Sequence, residues 1–182
     1  MAAKQTATQK ARGLCMIYSR DKDGRYSDNL ISDFSDSLFQ AAFKQYFSEL
    51  ELHIRDWDGL FREMNADGGN LAFVRTSESG NVIGFIQFKP LKFTSGFFEE
   101  TCGFIREFWV ADEYKNQAHG SALLALAEEH FLKNGIYTSI LTTDTAAHFY
   151  EKHGYISAPG CKAKNQDAVF VKHLVPQPDS AR

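Results

Sequence analysis

A short run of small, mostly uncharged residues joins a strand-like segment to a helix, and it constrains the fold more than any other feature of the chain. The apolar run at 104–110 (FIREFWV) precedes it, and apolar side chains recur at helical spacing over 123–131. The joining segment, 117–122, has the sequence QAHGSA. The first turn of a helix has unpaired N–H groups and the positive end of the helix dipole, and small side chains let an anion approach both. We therefore predict a strand, a loop and a helix whose first turn binds an anionic group such as a phosphate.

The composition is that of one folded domain. The chain has 182 residues, of which 43% are hydrophobic and 14% aromatic, enough to bury a core. No apolar run approaches the roughly 20 residues that span a bilayer, and 1–10 lack the apolar centre of a secretory signal. The cysteines are odd in number and far apart in the sequence, which indicates reduced thiols. We expect a cytoplasmic protein without a membrane partner, with one domain over 12–175 between flexible segments 1–11 and 176–182.

Charge is unevenly distributed along the chain. Residues 21–67 contain eleven Asp and Glu against five Lys and Arg, a net −6, whereas the rest carries +3 of the total −3. An acidic region attracts a cationic partner, although most of its carboxylates also suit a solvated helix surface. No concentrated basic patch is present for nucleic acid, and the six histidines lack a metal-ligand spacing. We expect neither nucleic acid nor a metal as a partner.

The order of predicted elements is that of a mixed α/β domain, with antiparallel strands early and a βαβ unit late. Its first half has a strand at 13–19, helical pieces from Ser27 to Met64, and a hairpin of strands at 71–75 and 82–89, followed by a connection at 90–96. The second half has a strand ending at Val110, helices at 118–133 and 145–153, and strands at 136–142, 155–158 and 168–174.

Two motifs in the second half resemble those of the GNAT superfamily of N-acetyltransferases. Residues 114–124 (YKNQAHGSALL) resemble its acetyl-coenzyme A (acetyl-CoA) signature, Arg/Gln-x-x-Gly-x-Gly/Ala, with Gln117, Gly120 and Ala122 at the key positions. Residues 143–155 (TDTAAHFYEKHGY) resemble the family's penultimate helix, A-x-x-F-Y-x-K-x-G-F/Y. The resemblance implies the GNAT fold, in which helices flank a central, mixed, splayed β-sheet, and it implies an acetyl-CoA-dependent N-acetyltransferase.

The same resemblance assigns the cofactor contacts. Backbone amides of the strand end would hold the thioester carbonyl and pantetheine (Phe108, Trp109 and Val110), and those of the helix start would hold the pyrophosphate (Gln117, Ala118, His119, Gly120, Ser121 and Ala122). Ala118 stands where the family frequently has Gly, and His119 is placed to crowd or contact the pyrophosphate. Thr143, where Asn is frequent, would contact the pantetheine arm, and Lys152 with Lys115 the terminal phosphates. Because neither motif contains cysteine, we expect direct transfer without a covalent enzyme intermediate.

Two residues are candidates for the acid and the base. Tyr150 matches the tyrosine that in many relatives gives a proton to the departing sulfur, although a buried packing tyrosine is the alternative. Glu107 lies on the strand where an acidic residue often deprotonates the amine. Pairing with Arg106 is its structural alternative, and Arg106 stands where polyamine acetyltransferases have a second acid. Because neighbouring strand residues face opposite ways, the sequence leaves open whether Glu107 points into the site.

The acceptor follows from the acidic early region, which also contains five aromatic residues: Phe39, Phe43, Tyr46, Phe47 and Trp57. Carboxylates favour a protonated amine and aromatic rings can contact a cation. We expect a small cationic amine, such as an aminoglycoside or a polyamine, although the same rings also suit a core. Protein N-termini or lysines, and a non-catalytic acetyl-CoA sensor, are the alternatives. Homodimers are frequent in the family, and the sequence does not fix the oligomeric state.

Overall fold

The computed structural model describes residues 16–20 and 25–175. The segments predicted to be flexible, 1–11 and 176–182, lie outside the described residues, as do the first three residues of the strand predicted at 13–19. In the described ranges, eight strands form one sheet in the order β1-β2-β3-β4-β5-β6-β8-β7. The strands are β1 (Met16–Arg20), β2 (Tyr26–Ile31), β3 (Leu71–Ser77), β4 (Val82–Thr94), β5 (Glu99–Val110), β6 (Thr138–Thr143), β7 (Ile156–Ser157) and β8 (Ala168–His173).

Within the described residues, four helices flank this sheet: α1 (Ser37–Glu49), α2 (Trp57–Ala66), α3 (His119–Lys133) and α4 (Ala147–Lys152). Carboxylates cap the first two. Asp36 accepts hydrogen bonds from the amides of Leu38 and Phe39 at the start of α1, and Asp56 accepts one from Gly59 in α2. A short 3-10 helix, Asp112–Tyr114, connects β5 to the loop before α3.

The early helical prediction is wrong for 27–31, which belong to β2. This strand pairs with β3 along its length, from Tyr26 opposite Ser77 to Ile31 opposite Ala72. The Asp28 carboxylate forms a bidentate ion pair with Arg75 across the two strands (2.7 and 2.8 Å). The helical spacing of the apolar residues in this segment was therefore coincidental, because long-range strand pairing decides its conformation.

The connection predicted at 90–96 is also wrong, because β4 continues to Thr94 and pairs with β5 as far as Glu99. Pro90 had suggested an end to the strand. Its missing N–H is tolerated because β3 pairs with β4 only as far as Leu71 opposite Phe88, so Pro90 lies beyond β3. The hairpin of β3 and β4 is confirmed, with a turn after Ser77.

Each face of the sheet has its own core. On one face, the core contains four strand residues, Phe73, Ile86, Phe88 and Ile105. They pack with buried residues of α3 and α4 that include Leu123 and Phe131. On the other face, Ala72, Val74, Phe85 and Trp109 pack with those of α1 and α2, including Phe39, Phe43 and Phe61. The alternation along β3 and β4 follows the two-residue period of strands, whereas Ile105 and Trp109 of β5, four residues apart, lie on opposite faces. We name these the α3/α4 face and the α1/α2 face.

Two irregularities of β5 shape the site. The parallel pairing of β5 with β6 consists of Gly103 opposite Ser139 and Phe104 opposite Ile140, so the two strands diverge beyond that point. On its other edge β5 has a bulge, because Ile86 pairs with Phe108 whereas Phe88 pairs with Ile105. The predicted mixed and splayed sheet, with a parallel β5–α3–β6 unit, is confirmed.

Candidate active site

A cleft of about 470 Å³ opens where β5 diverges from β6. Its walls are the end of β5, the loop and first turn of α3, and α4. Of the residues predicted for the site, these line it: Phe108, Trp109, Val110, Lys115, Ala118, His119, Gly120, Ser121 and Tyr150. Gln117, Ala122, Thr143, Lys152 and Glu107 do not.

The first turn of α3 presents unpaired amides to this cleft. The first hydrogen bond of the helix runs from the Ala122 amide to the Ala118 carbonyl (3.0 Å), so the amides of 119–121 have no acceptor within the helix. Ala118 precedes the helix in the left-handed region (φ 64°), which costs a non-glycine residue about 1 kcal/mol. This conformation agrees with the family's frequent glycine at the position.

Gly120 faces the aromatic wall of the cleft. A Cβ added there would lie 3.5 Å from the Phe149 ring and 3.6 Å from that of Phe108, which is ordinary van der Waals contact. The protein's own packing therefore tolerates alanine at Gly120, while a larger side chain would extend into the cleft.

Ser121 is held by a histidine of α4. The Nδ1 of His153 lies 2.7 Å from the Phe149 carbonyl and its Nε2 lies 2.9 Å from the Ser121 Oγ. Since a carbonyl can only accept, Nδ1 carries the proton, and in the neutral ring Nε2 accepts from the Ser121 hydroxyl. This chain of hydrogen bonds joins the start of α3 to the helix that carries Tyr150.

The His119 ring is buried against two tyrosine rings. It is 3% exposed and lies edge-on to Tyr26 (ring centroids 4.7 Å apart) and near Tyr114. Burial, and then the charge of Arg75, lower the pKa of His119. A neutral imidazole adds no positive charge to the helix start, where the backbone amides of 119–121 are the groups able to donate hydrogen bonds.

The predicted residues outside the cleft have other contacts. The side-chain Nε2 of Gln117 donates to the Glu113 carbonyl (2.8 Å). The Thr143 hydroxyl accepts from the Ala146 amide (3.0 Å) and so caps the turn before α4. Lys152 is exposed in the last turn of α4. Lys115, at the rim of the cleft, forms an ion pair with Asp112.

Tyr150 forms part of the cleft wall on α4 and is 6% exposed. Its ring packs against Phe108, Phe149 and Tyr155. Burial is the main cause that raises the pKa of Tyr150 far above its ordinary value, and the nearby charge of Glu107 adds to it. The phenol therefore stays protonated at neutral pH and can act as a proton donor while it also contributes to packing.

Glu107 lies on the α1/α2 face, where Tyr46 of α1 donates a hydrogen bond to its Oε2 (3.0 Å). Arg106 also projects to this face, where its Nη1 contacts Asn70 Oδ1 (2.7 Å) and Asp67 Oδ2 (3.2 Å). The bulge explains how two successive residues share one face. Among the described hydrogen bonds, the Glu107 side chain is therefore paired with Tyr46, and the Arg106 side chain is paired with residues at the end of α2.

The electrostatics of Glu107 suit a base. Burial raises the pKa of its carboxyl, while the Tyr46 hydrogen bond and Arg106 oppose that shift in part. Burial is the main cause that raises the pKa of Tyr46 far above its ordinary value, and the charge of Glu107 and the hydrogen bond to it add to the shift. Tyr46 is therefore a donor to Glu107 throughout the physiological range.

Two polar contacts near Glu107 were missed by sequence reasoning. Tyr46 was predicted only as one of several aromatic residues, and Trp109 only for its backbone. The Trp109 indole Nε1 donates to the Glu49 Oε2 (2.6 Å). Tyr46 and Glu49 are three residues apart and so share a helix face. That spacing was a usable signal, but it did not reveal that the face meets β5.

Comparison with known proteins places the chain in a family. Residues 33–155 match the sequence model of the acetyltransferase (GNAT) family. The chain belongs to this family, and the corresponding enzyme class is that of acetyl-CoA-dependent N-acyltransferases acting on amines. No curated protein sequence is significantly similar to the chain.

Solved structures share the fold at low sequence identity. The GNAT family N-acetyltransferase YhbS of Escherichia coli, in complex with CoA, is 19% identical (TM-score 0.61; 83% of this chain and 82% of that chain covered). A predicted acetyltransferase of Clostridium acetobutylicum, with acetyl-CoA, is 13% identical (TM-score 0.63; 76% and 94%). NAA60 of Arabidopsis thaliana, with a bisubstrate analogue, is 15% identical (TM-score 0.57; 74% and 92%).

The described part of the chain adds two observations on other classes of function. Its helices do not combine the length and apolar character that crossing a membrane requires. Its His, Cys, Asp and Glu side chains form no group of three or more that is placed to hold a metal ion.

Proposed function

We propose that the protein transfers the acetyl group of acetyl-CoA directly to the primary amine of a small cationic acceptor, such as a polyamine or an aminoglycoside. The observation that supports this most is the relation of Glu107 to Tyr150. Glu107 lies on the α1/α2 face of β5 and Tyr150 in the cleft beside it, and the charge of the first acts on the second. A carboxylate with a raised pKa and a phenol that stays protonated are suited to base and acid roles.

The residues of the cleft fit acetyl-CoA as a substrate. The amides at the start of α3, over 117–121, would hold the diphosphate, with the Ser121 hydroxyl beside them. The predicted contact from the Ala122 amide is not proposed, because that amide donates to the Ala118 carbonyl. The rings of Phe108 and Phe149 form an apolar wall for the pantetheine. Beyond Phe104 the edge of β5 is free of β6, so the backbone of 108–110 can bind the arm and the thioester carbonyl. Thr143 and Lys152 are proposed as outer contacts, to the arm and the terminal phosphates respectively.

The proposed chemistry removes two protons from the acceptor nitrogen. Glu107 accepts a proton from the acceptor ammonium, directly or through water, and the neutral nitrogen then attacks the thioester carbonyl carbon. Backbone N–H groups of β5 stabilise the charge that develops on the carbonyl oxygen. As the C–S bond breaks, the Tyr150 hydroxyl protonates the departing sulfur, and the nitrogen of the tetrahedral intermediate gives its second proton to the Tyr150 phenolate, directly or through water, so that the products are the amide and CoA.

A cationic acceptor is supported by the groups around Glu107. Glu49 accepts a hydrogen bond from the indole of Trp109, two residues from Glu107 along β5, and the charge of Asp144 acts on Tyr46, the hydrogen-bond partner of Glu107. The rings of Tyr46 and Trp109 lie 6.5 Å apart, centroid to centroid. Carboxylates and aromatic faces together favour an ammonium group.

The other early aromatic residues contribute less to this face. Phe39 and Phe43 are fully buried in the core, so they cannot contact an acceptor. Phe47 is partly buried against the same core, and Trp57 borders a separate pocket of about 270 Å³ between α1 and α2.

An acceptor panel tests this proposal. The purified protein is incubated with acetyl-CoA and spermidine, kanamycin or a peptide with a free N-terminus, and the free thiol of CoA is measured over time. We expect the cationic small molecules to accelerate thiol release. Acetylation of the peptide alone would assign a protein acceptor, and saturable acetyl-CoA binding with no release for any amine would assign a sensor.

A further inference from the structure

The side chain of Gln87, at the centre of β4, is completely buried, and neither of its polar atoms has a hydrogen-bond partner among the described residues. Buried amides in folded proteins are nearly always paired, because an unpaired one forfeits its hydrogen bonds to water. Asn70, buried on the same face, shows the usual situation. Its Nδ2 donates to Met64 and Asp67, and its Oδ1 accepts from Arg106. Besides the two Gln87 atoms, the Nε2 of His119 is the other buried side-chain polar atom without a partner among the described residues, so Gln87 is the described amide with both polar atoms unpaired.

The register places Gln87 beside the proposed base. Gln87 lies between the pairs Ile86–Phe108 and Phe88–Ile105, directly opposite the bulged residues Arg106 and Glu107. Its cross-strand partner in β3 is Ala72, a member of the core on the α1/α2 face. Because Ile86 and Phe88 belong to the other core, the Gln87 side chain projects to the α1/α2 face, on which Tyr46 contacts Glu107.

The neighbouring polar groups are already paired with one another. Lys89, the next residue of β4 on this face, forms an ion pair with Asp67 (2.8 Å), and Arg106 contacts Asp67 and Asn70. Packing alone does not account for an amide here, since a methionine or leucine would fill the same space without an unpaired polar group.

We propose that Gln87 is a positioning residue of the acceptor site. Its carboxamide holds one small group that both donates and accepts hydrogen bonds, and it holds this group against the Glu107 carboxylate. A water molecule has this chemistry, and so does an amine or hydroxyl group of the acceptor. In the first case the amine proton passes to the water as a water proton passes to Glu107. In the second case Gln87 orients the acceptor. The inference rests on the proposed function, in which Glu107 is the base.

The test is the Gln87→Met substitution, which keeps the length of the side chain and removes both polar atoms. If the amide holds an acceptor group, it is unpaired in the free enzyme and its removal should raise Tm by about 2–4 °C. If it holds a water molecule, the amide is already paired and Tm should not rise. The kcat/KM for spermidine, with acetyl-CoA saturating, should fall about tenfold, the effect of one lost hydrogen bond. The Kd of acetyl-CoA should not change. Asn70→Leu is the matched stability control, and it should lower Tm because its amide is paired.

The kinetic split identifies the group that Gln87 holds. A water relay predicts a fall in kcat and a displaced acid limb of the pH–rate profile, with KM unchanged. A direct contact with the acceptor predicts a rise in KM. Wild-type kinetics in a more stable Gln87→Met protein would overturn the proposal, because the amide would then lower the stability of the protein without contributing to catalysis.

A crystal structure of the wild-type protein, with and without spermidine, gives a readout independent of turnover and of the folding of the variant. The proposal predicts a water molecule or an acceptor atom within hydrogen-bond distance of both Gln87 and Glu107. Two unpartnered amide atoms in both crystals would contradict it. This readout also separates the two proposals, since a bridging water in a protein that acetylates no cationic amine would support the position of Gln87 and refute the acceptor.

Discussion

The Tyr46 hydroxyl donates a 3.0 Å hydrogen bond to Glu107, from a helix 61 residues earlier in the chain. This contact connects the acidic, aromatic first half of the protein with the strand that borders the cofactor cleft. It gives Glu107 an uncharged hydrogen-bond donor, which orients the carboxyl group and opposes part of the rise in its pKa that burial causes. The acceptor chemistry proposed for this enzyme depends on that arrangement.

The Tyr46→Phe substitution should make activity more sensitive to acid. The hydrogen bond lowers the pKa of Glu107, so its loss raises that pKa further and a smaller fraction of the base is ionised at a given acidic pH. We expect kcat/KM to fall about tenfold on the acid limb and to approach the wild-type value at alkaline pH. The measurement is the pH dependence of CoA release, with the exposed Tyr137→Phe as control. An unchanged acid limb would separate Tyr46 from the base.

The difference in Tm between the Glu107→Gln protein and the wild type should increase with pH. Burial raises the pKa of Glu107 above its ordinary value of 4.5, so the ionised carboxylate destabilises the folded state at higher pH. The substitution should raise Tm at neutral pH. The gain should shrink as pH falls through the raised pKa and disappear below 4.5, where both states are protonated. Thermal unfolding of both proteins across this range measures the effect, and a constant difference would contradict it.

The Tyr150→Phe substitution should separate turnover from binding. It removes the hydroxyl that protonates the sulfur and keeps the ring that packs against Phe108, Phe149 and Tyr155. We expect kcat to fall by about a hundredfold and the Kd of acetyl-CoA to stay close to that of the wild type, as measured by calorimetry. Because the pKa of Tyr150 lies far above its ordinary value, the wild type should show no alkaline limb from this residue below pH ~10. An unchanged kcat would remove Tyr150 as the acid.

Substitution of Gly120 tests the anion site at the start of α3. An alanine Cβ fits there without a clash, whereas a Cβ at Gly84 would lie 2.5 Å from the Trp109 carbonyl oxygen. Gly120→Ala should therefore fold, and Gly120→Leu should weaken acetyl-CoA binding about tenfold or more by obstructing the amides. Gly84→Ala, the comparison, should lower Tm. Wild-type affinity in folded Gly120→Leu would exclude this helix start as the diphosphate site.

Local signals predicted much of the second half of the fold. The strand that ends at Val110, the helix up to Lys133 and the parallel strand after it follow from short-range periodicity and capping, and the structure has all three. The elements of the first half were harder to predict from the sequence. Tyr26–Ile31 is a strand because it pairs with β3 more than forty residues later, and no local pattern contains that information.

The candidate site shows the same division. The small residues at the helix start could be recognised from spacing, and they line the cleft. The orientation of the Glu107 side chain could not be predicted from spacing, because it depends on a bulge that places Arg106 and Glu107 on one face. The partner of Glu107 and the unpaired amide of Gln87 likewise depend on how α1 and β4 meet β5. Sequence spacing does not encode such contacts.

The rate of CoA release from acetyl-CoA with spermidine, compared between the wild type and Glu107→Gln over a range of pH, tests the central claim most directly. Glutamine keeps an oxygen that can accept the Tyr46 hydrogen bond but cannot take up a proton. We predict that Glu107→Gln has a kcat about a hundredfold lower than the wild type at neutral pH and lacks the acid limb that Glu107 imposes. Equal rates and equal pH profiles for the two proteins would contradict it.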